Sequence, residues 1–175
     1  MRDYSSRLTS IAIITALLIV GGGFIYTASY ILGSSPIFEI ALISLYFSTL
    51  LYLLLVRCPH IGTTSVISLV LGVILSVFNT DLLLIITVTG IIFDIVNYII
   101  FRGYGPGIML IITVAFYPLL TVIVAFLLSK SAAHFINSNS LIFSIGAFAI
   151  GILGGFLGSY LDSKYIHVDK LEKVI

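Results

Sequence analysis

Charge is scarce in this sequence: eight Lys and Arg and seven Asp and Glu make up 9% of 175 residues, against 60% that are hydrophobic. A soluble domain carries about 25% charged residues, so this composition, with a mean hydropathy of +1.26, points instead to a membrane protein. The formal net charge of +1 offers no basic field to hold a nucleic acid backbone, which excludes nucleic acid binding. Cysteine is nearly absent. The single Cys58 rules out an internal disulfide and a thiolate-held zinc or iron–sulfur centre.

Chemistry is sparse too. His60, His134 and His167 fall in connectors or the tail, so no serine faces a histidine at membrane depth, and no His, Asp and Glu cluster at metal-ligand spacing. There is no phosphate-binding glycine loop followed by Lys and Ser or Thr, so the chain does not itself energise transport by hydrolysing nucleotide. No enzymatic activity and no cofactor are expected. Paired halves with interrupted helices, the usual mark of an ion-coupled carrier, are not evident either.

What the sequence has in abundance is long apolar runs. A membrane-crossing helix needs about 20 mostly apolar residues, because the hydrocarbon layer is about 30 Å thick and each helical residue advances about 1.5 Å. Six runs qualify, over residues 8–32, 37–56, 61–78, 82–101, 108–128 and 141–161. Their apolar character is continuous rather than alternating, which excludes a β-barrel and predicts an all-α bundle of six transmembrane helices. The first run follows Arg2 and Arg7 but is longer than the apolar core of a cleavable signal, so it is read as a retained helix. The connectors are short and rich in turn residues, such as Gly33-Ser34-Ser35-Pro36 and the Arg-Gly-Tyr-Gly-Pro-Gly stretch from Arg102 to Gly107. Residues 1–175 thus form one membrane domain with a short tail over 162–175, and no soluble catalytic domain fits.

Six crossings put both termini on one side. That side receives Arg2, Arg7, Arg57, Arg102, Lys164, Lys170 and Lys173, while Lys130 alone falls on the other. By the positive-inside rule both termini are cytoplasmic in the cell membrane. The outer face then carries residues 33–39, 79–81 and 129–140. There Tyr30 and Phe38 are placed to stack on a flat solute, Glu39 sits at the start of the second run, Asn79 and Asp81 occupy the turn before the fourth, and Asn139 offers an amide group. Glu39 is explained equally by the positive end of its helix, and Asn79 and Asp81 by a tight turn.

Within the spans, Asp94 is the one deep carboxylate. It must be paired, protonated or facing water, and Asn97 shares its helical face. The two form either a polar knot between helices, with Arg102 as a further partner, or a ligand contact. Pro118 in the fifth run removes a backbone bond that neighbours must satisfy, and Gly21-Gly22-Gly23 weakens the first helix, which is expected to bend or unwind there. Helices in lipid associate through small residues. Two runs carry them at spacing four: the first through Ala12 and Ala16, the sixth through Gly151 with Gly155 and Gly154 with Gly158. Each set serves either the bundle itself or another membrane subunit.

Six short-looped helices, the Ala12-Ile13-Ile14-Thr15-Ala16 face and the glycine-rich sixth helix with its basic tail (GGFLGSYLDSKY, residues 154–165) together resemble the substrate-binding S component of energy-coupling factor transporters. The resemblance implies that Ala12 and Ala16 dock on a coupling membrane subunit driven by two cytosolic ATPases. It also implies that a vitamin or related micronutrient is captured from outside, near the outer loops, and released when the protein topples in the bilayer. The chain has no Trp and lacks the N-terminal His of the nickel and cobalt members, so the solute stays unnamed. Two other readings stand beside it: a structural or assembly protein with no solute pocket, and a self-contained ion-coupled carrier using Asp94.

Overall fold

The computed structural model describes residues 2–31, 36–77, 80–105, 107–128 and 140–166. They form α1 (Arg2–Ile31), α2 (Pro36–Arg57), α3 (Thr63–Leu75), α4 (Thr80–Phe101), α5 (Ile108–Leu128) and α6 (Ser140–Leu161), followed by a π-helical turn over Asp162–Ile166. Among the described residues there is no strand. The segments Phe38–Arg57, Thr80–Phe101, Ile108–Leu128 and Ile142–Lys164 are each long and apolar enough to cross a membrane, and α1 and α3 contribute the shorter apolar stretches Ile11–Ile25 and Thr63–Leu75. The architecture is that of an α-helical membrane-embedded protein.

Two elements differ from their sequence expectations. The third apolar run extends over 61–78, yet α3 has 13 residues and advances only about 20 Å. Gly62 takes a left-handed conformation (φ 93) and delays the helix start, while Ser76 closes its far end by donating its backbone N–H to Gly72 O and its hydroxyl to Val73 O. In α1 the glycine triplet does not unwind the helix. Gly21 instead admits the Tyr46 ring of α2, whose hydroxyl donates to Leu17 O at 2.6 Å; a Cβ at Gly21 would collide with that ring.

Contacts at the glycines set the helix directions. Gly154 meets Leu45 and Ser48, and Gly158, one turn on, meets Thr49 and Tyr52, so α2 and α6 run parallel. Gly72 against Leu83 and Gly90 against Ser68 make α3 and α4 antiparallel, as Gly151 against Pro118 and Gly155 against Ile111 do for α6 and α5. One end of the bundle therefore collects the last turns of α2, α4 and α6 with Arg57, Arg102 and Lys164, and is called here the basic end. The opposite, acidic end has Glu39 and Asp81 in the first turns of α2 and α4.

The buried apolar core is built from α1 to α5, with Ile152 of α6 packed against it, and the glycine face of α6 is consumed in close contacts with α2 and α5. Pro118 has no N–H to offer Val114 O one turn back, and Ser48, fully buried on α2, donates its hydroxyl to that carbonyl at 3.4 Å. Thr49 of α2 shares its hydroxyl proton between Leu45 O at 2.8 Å and Gly154 O of α6 at 3.0 Å. Ser48→Ala removes the replacement donor from a buried site; a loss of about 1–3 kcal/mol is expected, read as a lower Tm in detergent. An unchanged Tm would show that the carbonyl finds another partner.

Candidate functional site

The sequence-derived solute residues divide between the two ends. Phe38 is half exposed and Glu39 partly buried at the start of α2, and Asp81 is exposed at the start of α4, all at the acidic end. Asn79 and Asn139 lie outside the described residues, and Tyr30 is described only as part of the α1 backbone. Asp94 stands about 20 Å further along α4 than Asp81, near the basic end. Asp94 and Asn97 therefore do not share a site with Phe38, Glu39 and Asp81.

Asp94 has an internal task that its position in α4 does not reveal. The first turn of α3 begins beside it, and the N-cap residue Gly62 has no side chain to satisfy the opening amides. Asp94, only 4% exposed, supplies the missing acceptor from α4: Ser65 donates its backbone N–H to Oδ2 at 2.8 Å and its hydroxyl to the same oxygen at 2.5 Å. Glycine at position 90 makes this possible, since a Cβ there would collide with Ser68 and hold α3 away. The negative carboxylate also faces the positive end of the α3 dipole. On its other oxygen, Oδ1, it accepts the hydroxyl of Tyr104, which folds back from the α4–α5 connector and also meets Thr64 Oγ1 at 3.1 Å.

The partners of Asp94 are thus neutral hydroxyls and an amide, while Arg102 is exposed. Burial, and then the hydrogen bond to Asp94, hold the Tyr104 phenol well above its ordinary pKa, so it remains a donor throughout the physiological range. The neutral phenol is the form the fold favours; its contribution is complete below about pH 10 and is lost as the pH rises beyond that. Asn97 is 1% exposed, donates Nδ2 to Phe93 O at 2.8 Å and leaves Oδ1 without a partner among the described residues. Ser65, Thr64 and Tyr104 were not singled out from sequence. A glycine followed by Thr-Thr-Ser marks a helix start, but nothing local names the distant residue that caps it.

At the centre of the bundle a cavity is bounded by Leu18 of α1, Phe47 and Leu51 of α2, Thr64 and Ser68 of α3 and Tyr117 of α5. Its space for water is about 10 Å³, the scale of one molecule. Ser68 and Tyr117 share a hydrogen bond of 3.0 Å there. Among the described residues no group of three or more His, Cys, Asp or Glu is placed to hold a metal ion.

The second candidate site is a surface. On α1, Ile14, Thr15 and Leu18 are buried against the bundle, whereas Ala12, Ala16, Val20 and Gly23 are exposed along one stripe. A Cβ built on Gly23 has nothing within 4 Å. The two small-residue faces are therefore in different states: that of α6 is packed against α2 and α5, and that of α1 is open. No family model matches this chain, and no curated protein or solved structure matches it either.

Proposed function

We propose that this chain is the substrate-binding membrane subunit of an energy-coupling factor importer, capturing a vitamin or related micronutrient from outside the cell. The observation that carries the reading is the open Ala12–Ala16 stripe of α1, a close-approach surface that the bundle itself leaves unused. In this reading α1 and α3 complete a six-helix crossing of the cell membrane. The basic end is cytoplasmic, with both termini, as the bias of Arg and Lys favours. The coupling membrane subunit lies along α1, and two cytosolic ATPases drive it. The solute is met at the acidic end by Phe38, Glu39 and Asp81, with Tyr30, Asn79 and Asn139 on the adjoining segments.

Ala12→Trp tests this. A bulky ring on the stripe is expected to abolish co-purification with the coupling subunit and transport of the solute, while solute binding by the isolated protein persists. Transport at the parental rate would sink the proposal. Native mass spectrometry of gently purified protein identifies the solute as a retained mass. An empty spectrum after incubation with a vitamin mixture favours the structural reading, for which the wholly internal partners of Asp94 already speak.

A further inference from the structure

The α4–α5 connector reverses direction through left-handed residues at Arg102 (φ 53) and Gly103 (φ 133), and again at Gly107 (φ 66). This reversal returns Tyr104 to the bundle. Its ring stacks on the buried Phe93 with centroids 6.3 Å apart, and its hydroxyl reaches Asp94 and Thr64. Backbone attachment is slight: among the described residues Gly103 N–H donates to Asn97 O at 3.3 Å, and Gly107 O accepts from the first turn of α5. Tyr104 is thus held chiefly by its own side chain.

Behind it lies a polar column. Thr64 bonds Tyr104 on one side and borders the central cavity on the other. Ser68, one turn along α3, borders the same cavity and bonds Tyr117, whose ring meets Phe93 edge-on at 5.5 Å. Tyr104 is partly exposed and Asp94 is buried, so the tyrosine stands between the basic-end surface and the carboxylate. Asp94 in turn holds the Ser65 amide in the first turn of α3, about 10 Å short of the end of α4.

We propose that Tyr104 is a hinged plug over Asp94 at the basic end of the bundle, and that its withdrawal lets water reach the Asp94 carboxylate and the Ser65 amide it holds without the helices separating. The left-handed residues around it supply the hinge, and opening breaks one stacking contact and two hydroxyl contacts and lifts one ring off the edge of the core, while each helix keeps its place. Water replaces the phenol as donor to the carboxylate, so the open state leaves no stranded charge. The inference stands independently of the importer reading.

Residue-resolved amide hydrogen exchange on the full chain in lipid nanodiscs decides it, using wild type, Tyr104→Phe and Tyr104→Ala. In Tyr104→Phe, which keeps the ring and loses the hydroxyl, the Ser65 amide is expected to exchange about tenfold faster than in wild type while that of Leu71, deep in α3, is unchanged. Labelling of Asp94 by a water-soluble carbodiimide with an added amine rises in parallel, and both effects are larger in Tyr104→Ala. The proposal is overturned if Ser65 exchange is unaltered in Tyr104→Phe, or if it rises in step with Leu71, which signals opening of the whole bundle. Should Tyr104→Ala fail to fold, the Tyr104→Phe comparison carries the decision.

Discussion

Gly154→Leu is expected to yield no stable bundle. A Cβ at this position would stand 2.5 Å from Leu45 O and 2.9 Å from Ser48 Cβ, so the obstacle is backbone and the root of a side chain rather than a flexible tip. Nothing there can rotate away. α2 and α6 must move apart, and the separation stretches the Thr49 bond to Gly154 O and draws Ser48 from Val114 O, where it replaces the donor that Pro118 lacks. Overpacking alone costs about 1–3 kcal/mol, and the stranded Val114 carbonyl adds roughly as much again. The measurement is a detergent size-exclusion profile with a thermal melt: the folded peak should disappear for leucine and persist at a lower Tm for alanine. Gly23→Ala serves as the control, because its Cβ meets nothing and alanine gains about 1 kcal/mol in helix propensity. A Gly154→Leu protein that melts with wild type would refute the packing account.

Asp94→Ala is the second large effect. The substitution uncaps α3 and strands the Ser65 amide, while the Ser65 hydroxyl falls back on Gly90 O at 3.3 Å and the Tyr104 hydroxyl on Thr64 at 3.1 Å. Stranding this buried amide costs about 1–3 kcal/mol, and the two weakened hydroxyl contacts about 1 kcal/mol more, so a destabilisation on the order of 3 kcal/mol is expected. Asp94→Asn should lose far less. Its amide oxygen can accept from Ser65 while its NH2 donates to the Tyr104 oxygen, which in turn donates to Thr64 at 3.1 Å. Melting curves of the two variants separate the roles: a severe alanine and a mild asparagine identify a cap, whereas equal severity means that the charge itself is required.

These residues also show how far the sequence reaches. The helices are legible because lipid leaves the backbone no partner but itself, so each long apolar run must be helical whatever packs beside it. Residues 37–56, 82–101, 108–128 and 141–161 correspond closely to α2, α4, α5 and α6 on that ground. The run over 61–78 yields a shorter helix because hydropathy does not register the left-handed turn at Gly62. Asp94 stands out as a buried acid from composition alone, but its partners Ser65 and Tyr104 belong to another helix and a folded-back connector, and no helical periodicity relates them.

Small residues mark the same boundary. Spacing of four identifies a face that permits close approach, and it does so identically for Ala12 with Ala16 and for Gly154 with Gly158. The sequence by itself determined the all-helical class, the apolar segments and the existence of two such faces, since these follow from local propensity and from what lipid excludes. Only the tertiary structure decided that the α6 face is filled by α2 and α5 and that the α1 face is open, because occupancy depends on which helices meet, and that is set by non-local contacts.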